Sequence, residues 1–290
     1  MKILVIGGTG LVGTQVVKEL SSRNIEVSVL TRKAGNVSGL PKEARLVRGD
    51  ILNPLTVKTI FRNMNRVFML NPLSLDETSQ GMFAVNGMRT SRIDRIVYMS
   101  VHQLEKALYL PHFGSKLAIE QAIKNTGIPY TILRPNNFYQ NDYWSKDPMT
   151  RYGIYPQPLG NIGLSRVDIR DIAEAAAIAL TTDNHVNETY NLVGPDVITG
   201  PETAEIWSKA LGRPIKYAGD DLDKWEQESL QYMSDWMAFE LKLMYSYLHK
   251  HGLKAEPEDL ERVTKLLGHA PRPYKKFVEE MAVMWRSSSV

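Results

Sequence analysis

The fold is decided by residues 2–13, which read KILVIGGTGLVG and run into an amphipathic segment. The apolar start predicts a buried strand and the amphipathic segment predicts a helix, so the chain must turn sharply between them. Gly7 suits the bend, Gly10 lets the backbone come close to a bound group, and Gly13 lets the helix pack on the strand. Because the first N–H groups of a helix are unpaired and lie at its positive end, such a turn binds phosphate. A tight turn without a ligand is the alternative.

Short apolar runs alternate with amphipathic runs through the first half of the chain, which is typical of a parallel sheet covered by helices. We predict strands at Ile3–Ile6, Glu26–Leu30, Ala44–Val47, Arg66–Leu70, Arg95–Met99, Tyr130–Leu133 and Glu188–Val193. We predict helices at Leu11–Ser21, Leu55–Asn63, Glu77–Thr90, Ser115–Asn125 and Asp168–Leu180. This pattern indicates an α/β chain with a Rossmann doubly wound parallel sheet.

The character of the sequence changes after Val193, where Gly-Pro steps separate short segments from helical ones. Long helical patterns follow at Leu222–His251, Pro257–Leu267 and Tyr274–Trp285. We therefore expect a smaller, mainly helical C-terminal lobe. Residues 1–136 plus about 165–194 are expected to form the dinucleotide-binding domain, and 137–164 plus 195–290 a substrate or lid lobe.

Composition narrows the function classes. The 290 residues are 43% hydrophobic and 23% charged, as in ordinary globular proteins. The absence of cysteine excludes disulfides, thiolate metal sites and cysteine nucleophiles, and no metal site is expected. A net charge of +3 is too small for an electrostatic nucleic-acid surface, and no apolar stretch predicts a membrane span. We expect a cytoplasmic protein, monomeric or homodimeric, that binds neither nucleic acid directly nor a membrane.

The end of the second predicted strand indicates which nucleotide is bound. It reads Thr31-Arg32-Lys33, without the carboxylate that usually accepts from the ribose hydroxyls of NAD. Arg32 can pair with a 2′-phosphate, and Lys33 can assist it. We therefore predict NADP(H) in preference to NAD(H), with a merely solvated strand end as the alternative.

Other candidate contacts lie at the carboxyl ends of strands, where doubly wound sheets bind ligands. Asp50, followed by Ile51, is placed to accept from an adenine amino group, or else is only a turn residue. The remaining candidates are Asn71, Pro72, Ser100 and Val101.

Jointly, these motifs resemble the NmrA-like group of atypical short-chain dehydrogenases/reductases over nearly the whole chain. The resemblance rests on the glycine turn and on six later motifs: Gly49-Asp50, Val97-Tyr-Met-Ser100, the Gly127-to-Pro135 segment leading into Asn136-Asn137-Phe138, Val167-to-Ala173, Tyr190-to-Pro195, and Leu211-Gly212-Arg213. It implies an NADP(H)-binding Rossmann domain with a lobe that covers the nicotinamide. Members reduce quinones, azo dyes or triphenylmethane dyes, and others are redox-sensing regulators.

The resemblance also assigns site residues. The pyrophosphate is expected at Gly7, Gly8, Thr9, Gly10, Leu11, Val12 and Gly13. The nicotinamide and its ribose are expected beside Asn71, Pro72, Ser100, Val101, Lys116 and the segment Pro135, Asn136, Asn137, Phe138.

One departure from the family pattern concerns proton transfer. Typical short-chain dehydrogenases carry Tyr-x-x-x-Lys, in which the lysine lowers the pKa of the tyrosine. Here Lys116 is present on the predicted first helical turn, but His112 stands where the tyrosine would be. Lys116, His112 and Ser100 are the candidate catalytic residues. Either His112 donates a proton, or it only lines the cleft while Lys116 holds cofactor and solvent supplies the proton.

The function that these features favour is hydride transfer from NADPH to an apolar, aromatic small molecule such as a quinone, an azo compound or a cationic dye. Aromatic residues could line the acceptor pocket, although core packing is the alternative for any one of them: Phe138, Tyr139, Tyr143, Trp144, Tyr152 and Tyr155. The alternative function is a non-catalytic NADP(H) sensor that acts through protein contacts.

Overall fold

The computed structural model describes residues 1–33, 35 and 37–287. In chain order the strands are β1 (Lys2–Ile6), β2 (Glu26–Thr31), β3 (Arg45–Arg48), β4 (Arg66–Met69), β5 (Arg95–Met99), β6 (Tyr130–Pro135), β7 (Ile154–Tyr155), β8 (Glu188–Leu192) and β9 (Lys216–Tyr217). The helices are α1 (Leu11–Ser22), α2 (Pro54–Ile60), α3 (Glu77–Thr90), α4 (Pro111–Lys124), α5 (Ile169–Thr181), α6 (Gly200–Leu211), α7 (Leu222–Ser229), α8 (Asp235–His251), α9 (Pro257–Leu267) and α10 (Tyr274–Ser287).

The chain divides into two compact units. The first unit comprises Met1–Pro135, Ile169–Leu192 and Lys265–Gly268. The second comprises Asn136–Asp168, Val193–Thr264 and the described residues of His269–Val290. The functional division between a dinucleotide domain and a lid lobe stays a prediction.

A seven-stranded parallel sheet organises the first unit, with strand order β3-β2-β1-β4-β5-β6-β8. The inner strands β1, β2, β4, β5 and β6 are largely buried because both faces of the sheet are covered, whereas the edge strands β3 and β8 are partly exposed. Side chains such as Leu4, Val67 and Tyr98 join a buried cluster with α2, α3 and α4. On the other face, α1 packs against α5, which also contacts β4, β5 and β6.

The strand order reverses between β1 and β4, so the sheet has a switch point there. β1 pairs with β4 in the register Ile3↔Arg66 to Ile6↔Met69, and both strands therefore end at the same edge. Doubly wound sheets bind ligands at such a point, beyond the carboxyl ends of the strands. The predicted α/β Rossmann class is confirmed.

Two glycines in α3 mark close helix packing. A Cβ on Gly81 would lie 2.4 Å from Ile119 of α4, and one on Gly87 would lie 2.4 Å from Phe61, which follows α2. Glycine lowers helix propensity at these positions by about 1 kcal/mol relative to alanine. The structure shows that the close approach of neighbouring helices requires them.

Three helix predictions need correction. The fourth helix begins at Pro111 rather than Ser115, because a proline fits the first helical position, where no N–H partner is needed. The pattern at Leu222–His251 is two helices, since α7 ends at Ser229 and Ser234 is the N-cap of α8. The helix α6 was not predicted, although Thr199 and Glu202 form a capping box at its start.

The second unit is built around a buried carboxylate. Asp142 is fully buried and accepts from Arg166 at 2.8 Å, from the Tyr155 hydroxyl at 2.8 Å, from the Trp207 indole at 3.0 Å and from the Tyr274 hydroxyl. Gln157 Nε2 also donates to this carboxylate, at 3.3 Å. A buried charge is tolerated only when it is paired and hydrogen-bonded, and this one has a cation and four neutral donors.

For two of the aromatic residues that could line an acceptor pocket, this network supports the alternative, which is core packing. Tyr139 and Tyr155 are fully buried in the second unit, and their hydroxyls donate to Arg272 O at 3.0 Å and to Asp142. They are core residues, because a buried hydroxyl needs a fixed partner. In contrast, Trp144 and Tyr152 are largely exposed.

Within the described residues, no helix combines the length and the apolar character that crossing a membrane requires.

Candidate active site

The glycine turn is built as its sequence indicates. Gly7 has a φ of 81°, which favours glycine, and a Cβ there would lie 2.5 Å from Leu70 O. A Cβ on Gly13 would lie 2.1 Å from Gly7 O, so the helix can pack on the turn only with glycine at that position. The Gly10 N–H donates to Gly7 O at 3.1 Å and closes the turn.

Gly10 differs from the other two glycines because the space beside it is open. It is the N-cap of α1 and has an ordinary extended φ of −86°. A Cβ on Gly10 would meet only Gly7 O, at 3.4 Å. Glycine is therefore not needed there for packing, and the start of α1 is accessible to an anion.

A groove with a volume of about 240 Å³ lies at the carboxyl ends of β1, β2, β3 and β4. Seven predicted site residues line it: Gly7, Thr9, Gly10, Arg32, Asp50, Ile51 and Pro72. Leu70, Gly49 and Gln80 also line the groove and were not predicted as site residues. Gly8 and Val12 are buried beside the turn, so only their backbone is available to a ligand.

A larger cavity of about 530 Å³ lies elsewhere, beside β3 and α2. None of the predicted site residues lines it, and it lacks a glycine turn. The groove is the better candidate, because it combines the helix start with the switch point.

Arg32 is exposed and lines the groove. Asp76 lies close enough to interact electrostatically with it, although hydrogen bonds dominate the state of this carboxyl: Ser74 Oγ and Gln80 Nε2 each donate to it at 2.7 Å. These bonds hold the pKa of Asp76 below its ordinary value, and Arg32 adds a smaller contribution. The guanidinium is thus presented to the groove.

Two neighbouring predictions have mixed outcomes in the structure. Asp50 lines the groove, but its carboxylate also accepts from Leu52 N at 2.9 Å, as in an Asx turn. Both interpretations of Asp50 therefore remain open. Lys33 is exposed and is not among the lining residues, and its backbone N–H donates to Thr31 Oγ1 at 3.1 Å.

Asn71 and Ser100 follow β4 and β5 and are almost fully buried. Neither amide atom of Asn71 nor the hydroxyl of Ser100 has a hydrogen-bond partner among the described residues. Leaving a buried polar group without a partner costs about 1–3 kcal/mol, so such groups normally bind a water molecule, an ion or a ligand. These two side chains fit polar groups of a ligand bound at this edge of the sheet.

Lys116 lies among acceptors near the same strand ends. Its Nζ forms an ion pair with Glu77 Oε1 at 3.1 Å, donates to Met99 O at 3.1 Å and lies 5.2 Å from the centre of the Tyr98 ring. Its side chain is 2% exposed. Burial lowers the pKa of Lys116, and the attraction of Glu77 only partly offsets this.

The partner of Lys116 is a residue that the sequence did not single out. Glu77 is the first residue of α3 and is 2% exposed. Its Oε2 lies 2.6 Å from His112 Nδ1, so one buried carboxylate contacts both residues of the altered motif. Since α4 begins at Pro111, Lys116 is on its second turn rather than its first, and His112 and Lys116 share a helix face.

The segment Asn136, Asn137 and Phe138 belongs to the second unit, where its polar groups are engaged. Asn136 Nδ2 donates to Leu253 O at 2.7 Å, and Asn137 Oδ1 accepts from Arg166 Nε at 3.0 Å. Pro135 and Val101 lie in and after strands of the sheet. A role for these residues beside a nicotinamide stays a prediction.

The chain is similar to known proteins over nearly its whole length. The NAD(P)H azoreductase of Xenophilus azovorans is 28% identical over 284 residues, which cover 97% of this chain and 98% of the azoreductase. Prestalk A differentiation protein A of Dictyostelium discoideum is 30% identical over 293 residues, which cover 97% of this chain and 92% of that protein.

Among solved structures, the triphenylmethane reductase of Citrobacter sp., complexed with NADP(H), superposes with a TM-score of 0.84 at 24% identity, covering 97% of this chain and 99% of that one. This likeness concerns the fold. The model of the NmrA-like family matches residues 1–277. With its glycine turn at the switch point of a doubly wound sheet, the chain belongs to the NmrA-like family.

Proposed function

We propose that this protein is an NADPH-dependent reductase that delivers hydride to an apolar, aromatic acceptor such as an azo compound, a quinone or a cationic dye. The groove carries this proposal, because an open helix start at Gly10 and an exposed guanidinium at Arg32 line the same cavity. Its relatives include an NAD(P)H azoreductase. When bound, NADPH would supply the hydride from its nicotinamide ring.

The residues of the groove fit the parts of this cofactor. The turn from Gly7 to Gly13 would hold the pyrophosphate through backbone N–H groups. Arg32 would pair with the 2′-phosphate, with Lys33 as a second cation. Asp50 and Ile51 would lie against the adenine.

The nicotinamide half would lie farther along the strand ends. Asn71 and Ser100 are buried without partners in the described structure, and their amide and hydroxyl groups would bind the ribose or the carboxamide. Lys116 would bind the ribose hydroxyls, as the family pattern implies. Its Nζ lies 3.5 Å from Asn71 O, so the two residues are neighbours.

Proton supply distinguishes the possible acceptors. Hydride alone converts a triphenylmethane cation to its neutral product, whereas an azo bond needs a hydride and a proton. His112 is one-quarter exposed and is the proposed donor for acceptors of the second kind.

The comparisons do not favour the alternative, a non-catalytic sensor. The decisive test measures NADPH consumption with azo compounds, quinones and cationic triphenylmethane dyes. A Gly13→Ala variant, whose glycine turn is disrupted, is the control, because NADPH consumption that persists in this variant does not depend on the turn. We expect at least one acceptor class to be reduced. NADPH binding without turnover of any acceptor would refute the reductase and support the sensor.

Cofactor choice is tested separately by fluorescence titration with NADPH and NADH. We expect tighter binding of NADPH. Equal dissociation constants would refute the role of Arg32 while leaving the reductase proposal intact.

A further inference from the structure

The contact between α3 and α4 buries one carboxylate against two basic side chains. Glu77 is 2% exposed, and its two oxygens contact different residues: Oε1 contacts Lys116 Nζ at 3.1 Å, and Oε2 contacts His112 Nδ1 at 2.6 Å. A second bond between the helices, from Thr78 Oγ1 to Ser115 Oγ at 2.9 Å, holds the two helix starts together. The position of Glu77 relative to the imidazole is therefore fixed by packing.

This contact determines which ring nitrogen of His112 carries a proton. A carboxylate only accepts hydrogen bonds, so the short contact requires a proton on Nδ1. Nε2 is then the nitrogen that gains and loses a proton. A carboxylate that orients an imidazole in this way is a recurrent device for histidines that transfer protons.

We propose that Glu77 is a positioning residue that holds His112 with Nδ1 protonated, so that Nε2 donates the proton when an azo bond is reduced. This inference rests on the proposed function. In that reduction Ar–N=N–Ar, NADPH and one proton give Ar–NH–NH–Ar and NADP⁺: the hydride adds to one nitrogen, the N=N π bond breaks, and the other nitrogen takes the proton from His112. Solvent then reprotonates Nε2.

A cationic triphenylmethane dye provides an internal control. Ar₃C⁺ and NADPH give Ar₃CH and NADP⁺, so this reduction needs hydride but no proton. A defect in proton donation therefore lowers turnover of the azo compound alone, whereas a defect in cofactor placement lowers turnover of both. The ratio of the two kcat values, measured on one variant at saturating NADPH, separates the two causes.

The experiment compares wild type, Glu77→Gln, His112→Phe and the double variant. Glu120→Gln is the matched control, because Glu120 is another buried carboxylate in the same region, whose bonds go to Arg134. We expect the azo-to-dye kcat ratio to fall roughly 10- to 100-fold in Glu77→Gln and in His112→Phe, and to stay within about twofold of wild type in Glu120→Gln. The double variant should be no worse than His112→Phe, since the two residues act as one unit.

Nitrogen-15 NMR of histidine-labelled protein without cofactor gives a readout independent of turnover, with the His112→Phe spectrum assigning the signal. In wild type we expect Nδ1 of His112 to be protonated whenever the ring is neutral. In Glu77→Gln we expect a larger population of the tautomer protonated on Nε2, because an amide does not demand a proton on Nδ1.

Two results would overturn the inference. One is an unchanged azo-to-dye ratio in Glu77→Gln; the other is a wild-type ring that is neutral with its proton on Nε2. A wild type that reduces neither acceptor would refute the proposed function and the donor role with it. A wild type that reduces both acceptors, with a lowered ratio in His112→Phe and an unchanged ratio in Glu77→Gln, refutes only the role of Glu77, whereas an unchanged ratio in both variants also refutes His112 as the donor and leaves the reductase proposal standing.

Discussion

Replacing Gly10 and Gly13 by alanine, one at a time, separates the ligand-binding part of the turn from its packing part. A methyl group on Gly13 would lie 2.1 Å from Gly7 O and 2.7 Å from both Gly7 C and Gly8 Cα, which are all backbone atoms. Overpacking of this kind costs typically about 1–3 kcal/mol, and here the backbone itself must move. We expect Gly13→Ala to lose at least about 2 kcal/mol of unfolding free energy.

Gly10→Ala should leave stability nearly unchanged. Its φ of −86° suits alanine, and the new methyl group meets only Gly7 O at 3.4 Å. Alanine reduces the entropy of the unfolded chain, which is worth about 0.4–1 kcal/mol, but it is a poorer N-cap than glycine by a similar amount. The two effects nearly cancel, so we expect a change within about 1 kcal/mol.

Although Gly10→Ala should leave stability nearly unchanged, we expect it to weaken NADPH binding. The methyl group occupies the space through which a pyrophosphate approaches the start of α1, so we expect the NADPH dissociation constant to rise at least about tenfold, or 1.4 kcal/mol. Urea unfolding without ligand and NADPH fluorescence titration measure the two effects. A Gly10→Ala variant that binds NADPH as tightly as wild type would refute the placement of phosphate at this turn.

Three further variants test other parts of the structure. Arg32→Asp should raise the NADPH dissociation constant roughly 10- to 150-fold, the equivalent of a charged hydrogen bond of about 1.5–3 kcal/mol, with little effect on the NADH dissociation constant. The same change at the exposed Lys42 should alter neither dissociation constant. Equal losses of affinity for both cofactors would contradict the assignment of Arg32 to the 2′-phosphate. Asp142→Asn should cost about 3–5 kcal/mol of unfolding free energy because it leaves Arg166 charged and buried, so a loss below about 1 kcal/mol in urea unfolding would contradict the network. Burial lowers the pKa of Lys116 below its value of 10.5 in the unfolded chain, so between the folded pKa and 10.5 the unfolded chain binds more protons than the folded one. The unfolding free energy of wild type should therefore rise with pH across that range relative to that of Lys116→Met. A difference in unfolding free energy that does not change with pH would contradict the burial of the charge.

The inner strands of the sheet are predictable because they are largely buried on both faces. Each apolar run in the first half marks a strand, and the observed strand bounds differ from the predicted ones by no more than two residues, as at β6, which extends to Pro135. The glycine turn is equally predictable, since Gly7 meets a local requirement for a positive φ and Gly13 a local requirement for close approach. Hydrophobic periodicity and turn geometry depend on residues that are close in sequence, so the sequence alone predicts them.

Helix starts were less predictable where capping was weak. The N-cap of α4 is Leu110, which makes no side-chain cap, so Ser115 was the more attractive start in the sequence. Because the predicted helix starts four residues too late, it places Lys116 on the first turn of α4, whereas the structure places it on the second. The capping box at Thr199 and Glu202 was an available signal for α6 that went unused.

Glu77 could not be predicted as a site residue, because its role depends on the packing of α3 against α4. In the sequence it is 35 residues from His112 and is an ordinary acidic residue at a helix start, where the dipole alone favours it. Its burial distinguishes Glu77 from other acidic residues at helix starts, and no pattern in the neighbouring sequence indicates that such a charge is buried. Asp142 was missed for the same reason, since the partners that neutralise it come from distant segments of the second unit.

The charge of the proton donor determines which sign of neighbouring charge assists it. A phenol donates as a neutral acid and becomes an anion, so a tyrosine at this position is assisted by a cation, and Tyr-x-x-x-Lys supplies one. An imidazolium donates as a cation and becomes neutral, so it is held instead by an anion. The change from tyrosine to His112 therefore demands a carboxylate, and Glu77 meets that demand while also neutralising Lys116. If this account is correct, His112→Tyr alone should not create the usual pair, because the phenol would face the Glu77 carboxylate, and only His112→Tyr combined with Glu77→Gln should restore azo reduction toward the wild-type rate.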